Sequence, residues 1–257
     1  MTAKRRTGVK PHALIIGGTR GAGRLAVCHL SAEGYRVSVL ARTRPTAGSQ
    51  HARHVRYWEA DITDSAGLKR ALVAIYKARG RFDCVAFFQR YRGKGDAWRG
   101  EIETSLTGTR NVIEMLVTEF ALRDAAIIIV SSVIASFVSK SAPLSYHVAK
   151  AGMNQIVRYY AVSLGARGVR VNSVSPGTFI KEESRVAMLA QPKLVKLYQQ
   201  IIPLGRLCTA GEVVDVVTFL AGSRSAFITG QDIVVDGGLS LVSQETLARD
   251  LVPVGRP

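Results

Sequence analysis

Short apolar segments alternate with longer amphipathic segments along almost the whole chain. The apolar segments have the length of strands, and the amphipathic segments have the length and spacing of helices. This alternation predicts an α/β fold, a doubly wound parallel sheet with helices on both faces. The predicted strands are Ala13–Ile16, Arg36–Leu40, Arg56–Glu59, Cys84–Phe87, Ala126–Ser131, Arg170–Val174 and Asp232–Val235, and the predicted helices are Gly21–Glu33, Ser65–Ala78, Glu103–Phe120, Ser145–Leu164 and Gly211–Gly222.

The chain has 257 residues, of which 47% are hydrophobic and 21% charged, a composition typical of one globular domain. We expect this domain to cover 11–240, after a basic flexible N-terminus (1–10) and before a C-terminal tail (241–257) that docks on a neighbouring subunit or is disordered. The segment 178–203 is expected to form a lid, with a helical stretch Glu182–Gln200. No apolar run approaches the roughly 20 residues that span a bilayer. The N-terminus also lacks the apolar core of a secretion signal, so the expected location is cytoplasmic.

The net charge is +16, and the chain has three cysteines without metal-ligand spacing. We expect no metal site and interpret the cysteines as buried small hydrophobic residues. The basic residues are scattered rather than aligned on one helix, which disfavours nucleic-acid binding and indicates a solvated basic surface. The alternative is an acidic partner, either a phosphate-bearing cofactor or an anionic carrier of the substrate.

A glycine-rich turn follows the first predicted strand. Its sequence, Gly17-Gly18-Thr19-Arg20-Gly21-Ala22-Gly23, leads directly into a predicted helix. Glycines in such a turn allow positive φ and a close approach of the backbone to a pyrophosphate, which the helix N-terminus stabilises. The turn predicts a dinucleotide site, and an ordinary strand-to-helix connection is the alternative.

The end of the second predicted strand bears on the type of cofactor. An acidic residue there would bind a ribose 2′-hydroxyl and favour NAD, but the chain has Ala41-Arg42. Arg42 and Arg20 offer two guanidinium groups that could clamp a 2′-phosphate, so we expect NADPH/NADP, with NADH disfavoured. The alternative is that Arg42 only begins a solvated loop.

Tyr146 and Lys150 have the spacing i, i+4 and therefore share one face of a predicted helix. A neighbouring ammonium favours the phenolate, so we expect the pKa of Tyr146 to be lowered toward the working pH, as suits a general acid/base. Ser132, fourteen residues before Tyr146, could donate a hydrogen bond to the carbonyl oxygen of a substrate. Taken alone, a tyrosine and a lysine at this spacing are usually a solvated pair on a helix surface.

With these residues the chain resembles the short-chain dehydrogenase/reductase family over nearly its whole length, and is similar to its 3-oxoacyl-(acyl-carrier-protein) reductase-like members. The resemblance is carried by Gly17, Gly21, Gly23, Asp61, Ser132, Tyr146, Lys150, Asn172 to Gly177, Pro203 to Arg206, Ile228 to Gln231 and Asp236 to Gly238. It implies a Rossmann-type single domain that assembles as a homotetramer or homodimer through the helices Glu103–Phe120 and Ser145–Leu164. Together, the glycine turn, the end of the second strand and the resemblance predict a set of cofactor-binding residues: Gly17, Thr19, Arg20, Gly21, Gly23, Arg42, Asp61, Ile62, Tyr146, Lys150, Pro176, Gly177 and Phe179.

The chain departs from the family pattern at several of these places. The family's Asn-Asn-Ala-Gly after the fourth strand is replaced by Phe87-Phe88-Gln89-Arg90, a loop that normally braces the cofactor. The family's active-site asparagine, which holds a proton-relaying water, is replaced by Ser105. Ile16 and Lys181 stand where the family has threonines.

Two functions from different classes remain. The first is an NADPH-dependent oxidoreductase that interconverts a ketone and a secondary alcohol, with Ser132, Tyr146, Lys150 and Ser105 in the catalytic site. The second is a catalytically weak cofactor-binding scaffold or regulatory subunit, suggested by the loss of the asparagine and the rewritten loop. Phe87, Phe88, Phe179, Arg90 and Lys181 suggest a pocket for an anionic or conjugated substrate, although the phenylalanines could equally be core. Among enzymatic functions, we favour a sugar or nucleotide-sugar oxidoreductase over an acyl or polyketide ketoreductase.

Overall fold

A computed structural model describes residues 10–45, 54–180 and 185–251. Within these residues, seven parallel strands form the central sheet in the order β3-β2-β1-β4-β5-β6-β9. The strands are β1 (His12–Ile16), β2 (Arg36–Ala41), β3 (Val55–Glu59), β4 (Cys84–Phe87), β5 (Ala126–Val130), β6 (Arg170–Pro176) and β9 (Asp232–Val235), and β7 (Phe179–Ile180) pairs with β8 (Cys208–Thr209) outside this sheet. The order reverses between β1 and β4, which is the place where a doubly wound sheet opens a crevice for a ligand.

Helices cover both faces of the sheet, as the alternating pattern predicts. They are α1 (Gly21–Ala32), α2 (Ser65–Arg79), α3 (Ala97–Glu101), α4 (Gly108–Glu119), α5 (Leu144–Leu164), α6 (Arg185–Leu189), α7 (Pro192–Ile201), α8 (Ala210–Ala221) and α9 (Gln244–Leu251). Leu72 of α2, Ile113 of α4 and Val157 of α5 pack in one core, and Val27 of α1 and Val217 of α8 pack in the other. The prediction of a Rossmann-type α/β domain is confirmed.

Most predicted elements lie within a few residues of the observed ones, but the helix predicted at Glu103–Phe120 differs. The helical segment begins at Ala97, inside the stretch Arg90–Gly100, which is rich in arginine and glycine, and Ile102–Thr107 within it is a π-helix. The arginine and glycine content of this stretch does not indicate a helix start. In the structure the side chain of Asp96 caps the helix by accepting a hydrogen bond of 2.8 Å from the backbone N–H of Trp98.

The predicted lid contains two helices, α6 and α7, and the predicted tail contains α9. Residues 1–9, 181–184 and 252–257, which include most of the predicted N-terminal segment, Lys181 and the end of the tail, lie outside the described residues. Of the three cysteines, Cys84 is buried but Cys28 is exposed, so that part of the prediction is wrong. No helix within the described residues combines the length and the apolarity needed to cross a membrane.

Candidate active site

The glycine turn after β1 lies at the carboxyl edge of the sheet, beside the reversal of strand order. Gly17 has φ of +81°, and its N–H donates to the carbonyl oxygen of Leu40 at 2.9 Å. A Cβ at Gly17 would lie 2.8 Å from the backbone nitrogen of Gln89, and one at Gly23 would lie 2.5 Å from the carbonyl oxygen of Gly17. Both positions therefore need glycine, because the turn packs directly on itself and on the segment that follows β4.

The N-terminus of α1 is the second part of this site. Arg20 occupies its N-cap with extended backbone and no capping hydrogen bond from its side chain, and the first turn has no acidic residue. Thr19 and Gly21, with φ of +50° at Gly21, complete the connection. An α-helix that begins in this way presents backbone N–H groups and a positive dipole end, which suits the phosphates of a dinucleotide.

A cleft of about 570 Å³ opens at the ends of β2 and β3 and is lined by Arg42, Asp61 and Arg70, together with Trp58, Glu59, Ala60, Asp64, Gly67 and Ala71. Asp61 accepts hydrogen bonds from the backbone N–H and the hydroxyl of Thr63, at 2.9 and 2.8 Å. Ile62 is 6% exposed and packs beneath the cleft against Gly108. The expected partner of Arg42, Arg20, is not among the lining residues. The second cation is Arg70 of α2, which the sequence analysis missed because only the packing of α2 brings it there.

Ser132, Tyr146 and Lys150 come together between the end of β5 and the first turns of α5. The side chain of Ser132 lies beside the phenol of Tyr146 and acts to lower its pKa. Lys150 Nζ lies 5.5 Å from the centroid of the Tyr146 ring and donates a hydrogen bond of 2.9 Å to the carbonyl oxygen of Val130. Ser132 and Lys150 are buried. The three side chains therefore form one compact, desolvated cluster.

The pKa of Tyr146 differs from the expectation. Burial raises the pKa of this phenol above its usual value, and the negative charge of Glu101 adds to the effect. The positive charge of Arg90 and the side chain of Ser132 act in the opposite direction but do not outweigh burial. The expectation of a lowered pKa is therefore wrong for the protein without ligand, because the i, i+4 spacing carries no information about desolvation.

His147, next to Tyr146, holds the loop that separates Ser132 from α5. Its Nε2 accepts a hydrogen bond from the backbone N–H of Ser139 at 2.9 Å, and its Nδ1 lies 2.9 Å from the carbonyl oxygen of Pro143. These two hydrogen bonds attach the loop 133–143 to α5. The role of His147 depends on how that loop folds, so no local sequence pattern indicates it.

Pro176 and Gly177 lie at the end of β6, on the same edge of the sheet. Pro176 is buried, and the N–H of Gly177 donates to the carbonyl oxygen of Val235 at 3.0 Å. A Cβ at Gly177 would lie 2.8 Å from Cβ of Asp236. Phe179 follows in β7, partly buried against the core beneath α1 and α8. The structure thus places all these sequence-predicted residues at one edge of the sheet.

Known proteins are similar to this chain in sequence and fold. A family model described as enoyl-(acyl carrier protein) reductase matches residues 17–240. The 3-oxoacyl-[acyl-carrier-protein] reductase FabG of Staphylococcus aureus is 31% identical over 242 residues, which are 88% of this chain and 97% of that protein. The chain belongs to the short-chain dehydrogenase/reductase family. Proteins of this family bind a nicotinamide dinucleotide and act as oxidoreductases.

Some similar members of the short-chain dehydrogenase/reductase family are named for a different activity than FabG. Glucose 1-dehydrogenase of Gluconobacter oxydans is 28% identical over 250 residues, which are 89% of this chain and 91% of that protein. Among solved structures, ElxO with NADP bound superposes with a TM-score of 0.80 at 22% identity, covering 91% of this chain and 100% of that one. The likeness to ElxO shows the fold alone.

Three side chains of the segment that replaces Asn-Asn-Ala-Gly of the short-chain dehydrogenase/reductase family lie in three different environments. Phe87 is fully buried in the core beneath α2, α4 and α5, so it does not line a substrate pocket. Phe88 packs on the opposite core and beside Gly23. Arg90 is exposed, and its guanidinium carbon lies 5.0 Å from the centroid of the Tyr146 ring. The replacement therefore adds a cation beside the tyrosine.

Ser105, at the position of the family's asparagine, lies in the π-helix and is 1% exposed. Its hydroxyl donates to Oε2 of Glu101 at 3.0 Å. Its carbonyl oxygen accepts the hydroxyl of Thr109 at 2.6 Å, and Thr109 Oγ1 in turn accepts from Nε2 of Gln89 at 2.7 Å. The two departures from the family pattern are thus joined in one hydrogen-bonded chain, and π-helical turns of this kind occur often at functional sites.

Proposed function

We propose that the chain is an NADPH-dependent oxidoreductase that interconverts a ketone and a secondary alcohol, with Tyr146 as general acid/base. The observation that carries the proposal is the cluster of Ser132, Tyr146 and Lys150 at the end of β5. The phenol of Tyr146 is half-buried beside the side chain of Ser132 and close to Lys150, an arrangement that suits proton transfer.

In the direction of reduction, a bound NADPH would supply the hydride that the carbonyl carbon receives. Tyr146 would give its proton to the developing alkoxide oxygen, and Ser132 would donate a hydrogen bond to the same oxygen. Lys150 places its positive charge beside the phenolate that remains. The raised pKa of the free tyrosine keeps it protonated at neutral pH, which is the form that reduction needs.

The residues at the carboxyl edge fit NADPH. The uncapped N-terminus of α1 and the positive φ of Gly17 suit a pyrophosphate. Arg42 and Arg70, in the cleft at the ends of β2 and β3, would hold a 2′-phosphate by charge-assisted hydrogen bonds. Asp61, in the same cleft, would hold the adenine.

The substrate is proposed as a sugar or nucleotide-linked sugar rather than an acyl or polyketide ketone. Relatives named for both activities, glucose 1-dehydrogenase and FabG, match this chain at similar identity, so both classes belong in a substrate screen. The exposed guanidinium of Arg90 beside Tyr146 favours a substrate with an anionic group. A screen of D-glucose, acetoacetyl-coenzyme A and a nucleotide-linked hexose would distinguish these classes by cofactor absorbance.

We also infer that the chain assembles as a homotetramer or homodimer through α4 and α5. Apolar side chains on α5 lack cover within the described chain, since Val162 is 85% and Tyr159 64% exposed. A second copy of the chain would remove these surfaces from water. Light scattering on the purified protein tests the assembly, and replacement of Val162 by Glu should reduce it to monomers.

The second candidate is a cofactor-binding scaffold subunit. It is favoured by the position of the Arg90 guanidinium over the ring of Tyr146, where the family has a different segment. Replacement of Tyr146 by Phe separates the two functions. An enzyme should lose about a hundredfold or more in kcat and keep its affinity for NADPH. A scaffold should keep its full function in cells with the phenylalanine. That result would overturn the enzymatic proposal.

A further inference from the structure

Glu101 is a buried carboxylate at the end of α3, only 4% exposed. Glutamate is rarely buried to this extent unless it is paired or has a function. The hydrogen-bond partner that the structure shows is the neutral hydroxyl of Ser105, at 3.0 Å. A neutral hydroxyl compensates a buried carboxylate less well than a cation does, so stability alone is a poor explanation for this residue.

Glu101 lies next to the site because α3 and the π-helix both pack against α5. Four groups face Tyr146 from the neighbouring elements: Arg90 from the segment after β4, Ser132 from the end of β5, Glu101 from α3 and Lys150 from α5 itself. Glu101 is the acidic member of this set, and its charge raises the pKa of Tyr146. The carboxylate is thus coupled electrostatically to the phenol.

The partner of Glu101 gives it a second link to the site. Ser105 stands where the family has its active-site asparagine, and a hydroxyl is both a donor and an acceptor. Because Ser105 donates to Glu101, its lone pairs remain available to accept a hydrogen bond. The backbone carbonyl of Ser105 is fixed by Thr109 and Gln89. The pair of Glu101 and Ser105 is therefore held rigidly at the place of the missing asparagine.

We propose that Glu101 is a positioning residue of this site, which together with Ser105 takes the place of the family's asparagine and governs the protonation of Tyr146. The inference rests on the proposed function for its role in turnover. Ser105 holds the Glu101 carboxylate in place by its hydrogen bond, and the negative charge of Glu101 raises the pKa of Tyr146. The phenolate that remains after reduction therefore takes up a proton more readily.

The first test is a titration of tyrosinate absorbance, which needs neither cofactor nor substrate. The Tyr146→Phe protein identifies the signal of Tyr146 by difference. In the Glu101→Gln protein we expect this signal to appear at lower pH than in the unaltered protein. Glu103→Gln is the matched control, because Glu103 lies two residues away and its carboxylate is paired with Arg99 at 2.8 Å. Its titration should equal that of the unaltered protein.

Glu101→Met is a second variant in case the glutamine variant does not fold, since an apolar side chain of similar size is often tolerated at a buried charged position. It should move the titration in the same direction. If neither folded variant differs from Glu103→Gln, the inference is overturned, whether or not the protein proves to be an enzyme.

The second test is the pH dependence of kcat with NADPH and acetoacetyl-coenzyme A, or with NADP and D-glucose. We expect Glu101→Gln to lower kcat by about a hundredfold, the lower end of the range for a positioned proton-transfer group, with a shifted pH profile. Adding Ser105→Asn should restore part of the loss. A purely structural role predicts an unchanged profile and no rescue, and that result would overturn the role of Glu101 in turnover. Absence of turnover by the unaltered protein with every substrate would count against the proposed function, while the titration still decides the coupling of Glu101 to Tyr146.

Discussion

The guanidinium carbon of Arg90 lies 5.0 Å from the centroid of the Tyr146 ring. Arg90 belongs to the segment that replaces Asn-Asn-Ala-Gly of the family, and Tyr146 is the proposed general acid/base. The contact has the geometry of a cation–π interaction, and the positive charge lowers the pKa of Tyr146 against the opposing effect of burial. The segment that contains Arg90 thus affects the ionisation of the proposed general acid/base.

Replacing Arg90 by Ala should move the ionisation of Tyr146 to higher pH, because the charge that favours the phenolate is lost. The pH at which alcohol oxidation is half-maximal should rise with it, since oxidation needs the phenolate. The free energy of unfolding should fall by only about 0.5 to 1 kcal/mol, as expected for an exposed cation–π pair. Tyrosinate absorbance, the pH–rate profile and urea denaturation measure the three quantities. Arg90→Lys, which keeps the charge, is the control, and identical titrations for Ala and Lys would contradict the argument.

Arg42 and Arg70 should determine the preference for NADPH. Loss of either guanidinium should weaken NADPH binding by about tenfold to a hundredfold, as expected for a hydrogen bond to a charged group worth about 1.5 to 3 kcal/mol. NADH has no 2′-phosphate, so its affinity should hardly change. Fluorescence titration of Arg42→Ala, Arg70→Ala and, as a comparison, Arg20→Ala with both nucleotides measures these effects. Equal weakening of both nucleotides would mean that these residues do not contact the 2′-phosphate.

Gly17 and Gly34 form a matched pair for testing the packing of the glycine turn. Both have positive φ, +81° and +86°, but a Cβ at Gly17 would lie 2.8 Å from the backbone of Gln89, whereas a Cβ at Gly34 would meet nothing within 4 Å. Gly34→Ala should therefore cost only the conformational strain of about 1 to 2 kcal/mol. Gly17→Ala should cost about 1 to 3 kcal/mol more and weaken NADPH binding. Urea denaturation and nucleotide titration of both variants check this, and equal stabilities would show that the turn can move away from Gln89.

His12 should make the stability of the fold depend on pH. Its ring is fully buried in β1, with Nε2 2.7 Å from the hydroxyl of Ser38, and burial lowers its pKa to about 4 from the usual 6.5. Between these two values the unfolded chain binds a proton that the native chain does not. The contribution of His12 is therefore complete above pH 6.5 and is lost as the pH falls toward 4, by about 3 kcal/mol in total.

Urea denaturation of the His12→Gln protein at several values between pH 7 and pH 4 tests this expectation. The part of the pH dependence that His12 causes should disappear. A slope that persists in His12→Gln would mean that another group is responsible.

Local patterns were enough to predict the elements that build the site. Strict apolarity predicts β5 as a strand buried on both faces, and its residues Ala126 to Ile129 are buried as expected. The glycine turn and the i, i+4 pair of Tyr146 and Lys150 are each contained in a few consecutive residues, so the covalent geometry of the chain relates them directly. The resemblance to the family then supplied Ser105, Asp61, Pro176 and Gly177.

The sequence by itself thus determined the α/β alternation, the strand-turn-helix around Gly17 to Gly23 and the common face of Tyr146 and Lys150, because backbone periodicity and conformational preference act over a few residues. Only the tertiary structure decided which charges surround Tyr146. Arg90 and Glu101 lie some fifty residues from it along the chain, and they reach it because β4 and α3 pack beside α5. Burial and the charges brought near by packing determine a pKa, and neither is a property of sequence spacing.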